Sequence, residues 1–196
     1  MAVGPCRVKG ASGAGPGGPV GTGAAPPAGA GPYAGAMTGN GAERAARALA
    51  DSGIEHAITR HGPVRSLEEA AAARGLEPRD VLKTLVVRRG ADDYLFVLVP
   101  GGREISWPKL RAHLGVNRLS MPDAETARDV TGYVRGTITP FGSTHPWPVV
   151  ADSSILGRPV SIGGGDHGVA ATAQADDIVR VLQADVADVT DPADPA

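Results

Sequence analysis

Two apolar runs, "VLKTLVVRR" (residues 81–89) and "DYLFVLVPGG" (93–102), stand on either side of "GAD". Both are rich in residues that suit a pleated strand, and a break of three turn-forming residues leaves room for nothing but a reversal. The pair predicts an antiparallel hairpin, and the rest of the chain has to pack around it.

Upstream, "GAERAARALADSGI" spaces Ala45, Ala46, Leu49 and Ile54 at helical intervals, with Gly53 placed to end the helix. "EHAITRHGP" reads as a short strand. In "SLEEAAAARGL", Ser66 and Glu69 fit a capping box and Gly75 a C-terminal cap. Downstream, "SWPKLRAHLGV" predicts a helix capped by Ser106, with Pro108 confined to its first turn. "NRLSM" reads as a strand and "PDAETARDVTG" as a further short helix. "WPVVAD", "RPVSIGG" and "VAATAQ" follow as short strands. "ADDIVRVLQADVADV" gives a closing helical turn with room for a last strand, and "TDPADPA" a frayed tail. Several connections are too short for parallel crossovers. The expected fold is α+β: a mixed, largely antiparallel, curled sheet flanked by short helices.

The chain has 196 residues, enough for one domain with tails. The first forty residues hold twelve Gly and six Pro, with Arg7 and Lys9 as their only charges. So little side-chain volume cannot offset the entropy of ordering, which predicts disorder over 1–40, a domain over 41–189 and a frayed tail over 190–196. Met37 is a plausible alternative start. The segment has neither the apolar core of a secretory signal nor the basic content of a transit peptide. No stretch approaches the roughly 20 apolar residues of a membrane span, so a soluble, cytoplasmic protein is expected. The net charge is −2, and setting aside Arg7 and Lys9 leaves −4 for residues 41–196. An acidic domain is poorly suited to tight, non-specific binding of a nucleic-acid backbone. Neither DNA nor a membrane is expected as a partner, whereas one RNA end in a local basic patch is compatible. The single cysteine, Cys6, lies in the Gly-rich segment, which argues against an internal disulfide, a CxxC metal site or a thiol nucleophile.

Lys83 is the most informative single residue. A period of two puts Val81, Lys83, Leu85 and Val87 on one strand face. An ammonium there is costly unless it is paired, opens into a cavity or snorkels to water. Lys83 therefore either meets a substrate carbonyl or anion, or is an ordinary strand-end lysine. "GGGDHG" (163–168) matches GxGxxG formally, but a strand-like stretch follows it rather than a helix. A Gly-rich hairpin with Asp166 and His167 at its tip fits better than a dinucleotide site. The histidines at 56, 61, 113, 145 and 167 have no metal-ligand spacing, and neither a GxSxG elbow nor a P-loop is present. No metal or cofactor is expected. In "GYVRGTITPFGSTHPWPVV" (132–150), glycines permit close backbone approach and prolines limit the alternatives. Tyr133, Ile138, Phe141 and Trp147 make it too apolar for a solvated linker, which favours a packed loop whose N–H groups can face a carbonyl or oxyanion.

The ordered series "KTLVV", "YLFVLVPGGREISWPKLRAHLG", "TGYVRGTITPFG", "WPVVAD" and "SIGGGDHG" resembles the YbaK/EbsC family, free-standing relatives of the editing domain in bacterial prolyl-tRNA synthetases. The likeness runs over residues 45–188. It implies hydrolysis of the ester between a wrong amino acid and tRNA, in particular tRNA for proline carrying alanine or cysteine. Aminoacyl-tRNA, through its acceptor end, and prolyl-tRNA synthetase are the implied partners. By the resemblance, Lys83 contacts the substrate carbonyl or ester. Gly132, Tyr133, Gly136, Thr137, Pro140 and Gly142 form the loop that orients the aminoacyl group, with the backbone N–H groups from Gly136 to Gly142 stabilising the developing charge. Ser161, Gly163, Gly164, Gly165 and Gly168 form the late turn, with Asp166 and His167 as helpers that position water. Thr137 stands where many members carry a small residue or glycine. Gly165, Asp166 and His167 replace the basic residues of the cysteine-specific branch. A catalytically silent module that binds tRNA or a synthetase, and a small-ligand-binding protein on the same fold, are the competing readings.

Overall fold

The structure is a computed structural model that describes residues 40–193. The expectation of disorder over 1–40 and the alternative start at Met37 fall outside the described residues, Asn40 excepted. Asn40 is an N-cap: its side chain accepts from Glu43 N at 2.9 Å, while Glu43 returns a bond to Asn40 N. That reciprocal pair opens α1 (Gly41–Ser52), and Gly53 closes it.

The predicted hairpin forms. β2 (Leu82–Gly90) and β3 (Asp93–Pro100) pair antiparallel around a two-residue turn in which Asp92 takes a positive φ. β3 is buried on both faces, which explains why its sequence is a continuous apolar run rather than an alternating one. Tyr94, Phe96 and Leu98 enter one core; Leu95, Val97 and Val99 enter a second core on the opposite face. β5 (Val149–Asp152) joins β3 in parallel, and β8 (Asp185–Ala187) joins β5 in parallel, giving a sheet of order β2-β3-β5-β8.

A second, antiparallel sheet is ordered β1-β7-β6, from β1 (His56–Arg60), β7 (Val169–Gln174) and β6 (Pro159–Gly163). A parallel bridge between Val81 and Ser161 ties it to β2. The first core fills the space between these sheets. Its cover includes Leu49 of α1, Ala127 of α4 (Ala124–Thr131) and Ile178 of α5 (Ala175–Leu182). The second core is closed by Leu110 of α3 (Trp107–Leu114), Ile105 of β4 (Arg103–Ile105) and Val189. Each fully buried Leu, Ile or Phe in these cores contributes about 1.5–3 kcal/mol.

The architecture is α+β with a mixed, mostly antiparallel strand set, as expected, but it comprises separate sheets where one curled sheet was foreseen. Four local expectations also differ. "NRLSM" is not a strand: Ser120 alone bridges to Arg88, because the chain turns at once into α4. Ser106 precedes α3 without capping it through its side chain, and it lies beside the Asp191 carboxylate, whose pKa it helps to lower. The expected fray at 190–192 is a strand, β9 (Thr190–Pro192), paired antiparallel with β4. In α2 (Leu67–Arg74), Ser66 caps Glu69 N as foreseen, but the Glu69 carboxylate turns to Arg65 N.

Candidate active site

β2 ends its sheet, so among the described residues no strand pairs along the middle of one of its edges. The bridge from Val81 to Ser161 lies at one end of that edge, and the pair of bonds between Arg88 and Ser120 (2.8 and 3.1 Å) lies at the other. Main-chain groups alternate sides along a strand, so those of Thr84 and Val86 share the edge used by Arg88. A cavity of about 460 Å³ opens along this stretch. Its apolar wall includes Leu82, Val86, Met121, Ala127 and Ile138; Gly136 and Gly163 bring in the loop and the late turn. That volume is in the usual range for small-molecule sites.

The charges of the cavity are uneven. Arg74, Lys83 and Arg135 line it against one carboxylate, Asp123, which is occupied in capping α4 through Thr126 N at 2.7 Å. Of the basic residues a sequence reading could nominate for the cavity (Arg79, Arg88, Arg103, Lys109, Arg111 and Arg135), Arg135 alone lines it. Arg79 pairs with Glu77, and Lys109 with Asp188 and Asp191.

Lys83 contributes to the wall, but its side chain leaves β2 on the face of Leu85 and Val87, opposite Leu82 and Val86. Nζ donates to the carbonyl of Arg103 on β4. Desolvation lowers the pKa of the ammonium, with nearby Glu104 opposing the shift. Thr84 sits on the cavity face, and its Oγ1 is shielded from solvent without a hydrogen-bond partner.

The loop over 132–142 is packed, as its apolar content predicted. Tyr133 is 1% exposed and donates its hydroxyl to Phe141 O at 2.7 Å; burial pushes its pKa up to about 12. Arg44 of α1 lies over the Tyr133 ring and donates to Gly132 O at 2.7 Å and Gly142 O at 3.3 Å. Thr137 is buried, with both its N–H and its hydroxyl bonded to Val134 O. Trp147 holds the far end by donating to Val130 O at 2.7 Å. Tyr133, Thr137, Gly132, Pro140 and Gly142 thus shape the loop from outside the cavity wall, whereas Gly136 stands in it. Gly136 has φ 91°, and an added Cβ would meet the His167 ring carbon at 3.6 Å, so the late turn lies close enough for a side chain here to reach it.

The late turn is the hairpin between β6 and β7, with Gly163 opposite Ala170. Gly165 packs on α1, where a Cβ would overlap Gly41 O. Gly164 N donates to Val169 O, and Gly168 O accepts from His61 N. Asp166 and His167 are both exposed at the tip; the Asp166 carboxylate accepts from the main-chain N of His167 rather than from its ring. Ser161 is fully buried, and its hydroxyl accepts from Arg74 at 3.3 Å. Of the polar residues that line the cavity, Arg74, Thr84 and Asp123 are ones that sequence reading missed. Arg74 shares a helix face with buried Ala70 and Ala71, a spacing that marks a cation on the inward side of α2.

Among the described residues, no group of three or more His, Cys, Asp or Glu is placed to hold a metal ion, and no helix is long and apolar enough to cross a membrane.

Residues 61–181 match the family described as the aminoacyl-tRNA editing domain. The chain is similar to the proline–tRNA ligase of Thermosipho melanesiensis, with 38% identity over 96 residues, covering 48% of this chain and 17% of the ligase. It is 24% identical over 126 residues to EbsC of Enterococcus faecalis, provisionally named a Cys-tRNA(Pro)/Cys-tRNA(Cys) deacylase, covering 64% of this chain and 77% of that protein. A crystal structure provisionally described as a trans-editing enzyme for prolyl-tRNA synthetase superposes with a TM-score of 0.71 at 26% identity, covering 79% of this chain and 99% of the other. The chain thus spans about a sixth of the ligases it matches and nearly all of the free-standing structure.

Proposed function

Because the chain belongs to the aminoacyl-tRNA editing family, we propose that it is a deacylase acting in trans on mischarged tRNA, with tRNA for proline carrying cysteine or alanine as its substrate. The observation that carries this reading is the cavity along the open edge of β2, where the Lys83-Thr84 strand meets Gly136 and Gly163. Its apolar part suits a small aminoacyl side chain. The main-chain groups of Thr84 and Val86 on the open edge suit the carbonyl acceptor and α-ammonium donor of an aminoacyl ester.

In the reaction, a water oxygen bonds to the ester carbonyl carbon. The tetrahedral intermediate then collapses, the bond to the ribose oxygen breaks, and that oxygen leaves with a proton. The products are the free amino acid and uncharged tRNA. The neighbouring ribose hydroxyl of the substrate assists the water, so no side-chain nucleophile is needed. Negative charge on the carbonyl oxygen is met by Lys83 and by loop amides. Thr137 N–H is engaged by Val134 O, which narrows the available loop donors to Gly136 and Ile138 at the cavity wall. His167, near Gly136, and Asp166, which orders its main chain, would position water. Prolyl-tRNA synthetase is the proposed partner that delivers the mischarged acceptor end.

One observation favours a second reading. Lys83 Nζ is held by Arg103 O on the far face of β2, an arrangement that also suits a non-catalytic module binding tRNA or a synthetase. A deacylation panel of alanyl-, cysteinyl-, seryl- and prolyl-tRNA for proline separates the two. Release of alanine or cysteine with proline spared is the expected result. Salt-dependent tRNA binding with no turnover of any ester would replace the enzyme by the module.

A further inference from the structure

Arg74 projects from α2 into the cavity wall beside the bridge between β2 and β6. Its Nη1 donates to Ser161 Oγ at 3.3 Å and its Nη2 lies 3.4 Å from His61 Nε2, while Nε is shielded from solvent and has no hydrogen-bond partner. Among the described residues, no carboxylate forms an ion pair with it. Desolvation is accordingly the cause that lowers its pKa, with no anion to offset it. A half-buried guanidinium with no carboxylate beside it is a costly arrangement that a ligand anion would relieve. The planar fork of Arg is suited to an oxyanion with two acceptor oxygens.

We propose that Arg74, positioned by Ser161 and His61, is a subsite for a phosphate oxyanion of the substrate: the phosphodiester that precedes the terminal adenosine of the tRNA. This rests on the deacylase reading. The rest of the cavity wall supplies the reason for choosing a phosphate over an acidic amino-acid side chain. Leu82, Val86, Met121, Ala127 and Ile138 make it apolar, which suits a small apolar aminoacyl group and leaves the guanidinium to the nucleotide. The lack of an ion pair to Arg74 among the described residues also leaves its charge available, whereas Asp123 is turned away to its helix cap.

The test uses two small substrates with the same alanyl or cysteinyl group: the 2′(3′)-ester of adenosine and the 2′(3′)-ester of adenosine 5′-monophosphate. Wild-type protein is expected to prefer the phosphate ester about ten-fold or more in kcat/KM, the size of one charge-assisted hydrogen bond. Arg74→Met is expected to bring that ratio to about one, and Arg74→Lys to retain part of it, with melting temperatures recorded for both. A ratio that stays high in Arg74→Met, or a wild-type ratio near one, overturns the subsite while leaving deacylation standing. An aspartyl ester of adenosine forms the third arm: if Arg74→Met loses that substrate and keeps the phosphate preference, the oxyanion is a side-chain carboxylate and the phosphate assignment is wrong. Should wild-type protein hydrolyse none of the small esters, the deacylase reading is decided by the tRNA panel, and binding is read here instead. Tighter binding of adenosine 5′-monophosphate than adenosine, lost in Arg74→Met, supports the subsite; equal binding of the two overturns it.

Discussion

Lys83 and Thr84 are neighbours in sequence and leave β2 on opposite faces, one towards the second core and Arg103, the other towards the cavity. The strand's period of two made the grouping of Lys83 with Leu85 and Val87 readable in advance. Which of the two faces adjoins the cavity was not, because that depends on where α4 and the 132–142 loop come to rest. Since β2 is an edge strand, a lysine on its far face is one side-chain length from the open side. Lys83→Ala is expected to lower the deacylation rate by about 10²–10³-fold, the loss typical of a donor to a developing oxyanion. Its melting temperature should stay within a few degrees of wild type, because the side chain is exposed and makes a single main-chain bond. Steady-state deacylation and thermal unfolding of the variant check this, and an undiminished rate would remove Lys83 from the mechanism.

At the scale of elements, the decisive contact is between α1 and the 132–142 loop. Arg44 reaches the carbonyls at both ends of the loop and covers the Tyr133 ring, while the Tyr133 hydroxyl closes the loop on Phe141 O. The loop's rigidity was legible from its apolar residues, but its fastening was not, since Arg44 lies roughly ninety residues away in sequence. Tyr133→Phe removes one hydroxyl and leaves a buried carbonyl unpaired. A loss of about 1–3 kcal/mol is expected from urea unfolding, together with a fall in deacylation as Gly136 loses its fixed position. A variant as stable as wild type would mean that Phe141 O finds another donor. The same reasoning accounts for the missed helix details: Ser106 and Glu69 sit where caps are expected, yet Ser106 makes no side-chain cap bond and the Glu69 carboxylate accepts from Arg65 N.

For the whole molecule, Asp152 is the residue that joins its distant parts. It is 1% exposed at the end of β5 and accepts from Ser154 N, Ser154 Oγ, Val189 N and Thr190 Oγ1, so the closing strand is tied to the central sheet through one carboxylate. Burial acts to raise its pKa, but the hydrogen bonds from Ser154, Thr190 and Val189 outweigh it and the net shift is downward. A carboxylate lowered on folding contributes stability that is complete above its unfolded pKa of about 4 and is lost as pH falls through the folded value. Asp152→Asn is expected to cost about 1.5–3 kcal/mol at pH 7, with the gap to wild type narrowing below about pH 4. Denaturant titrations over that range check it, and a gap independent of pH would show that Asp152 does not carry the linkage. The chain's local chemistry was enough to determine the hairpin, the helices and most of their caps, because a turn, an apolar period or an N-cap acts over a few residues. It also carried the motif series that places the chain in its family. Only the tertiary structure decided that 190–192 would be a strand rather than a fray, that the strands would divide into separate sheets, and that Arg74 would stand uncompensated at a cavity. Each of those depends on pairing or desolvation between segments far apart in sequence, where no local preference favours the outcome until the partners meet.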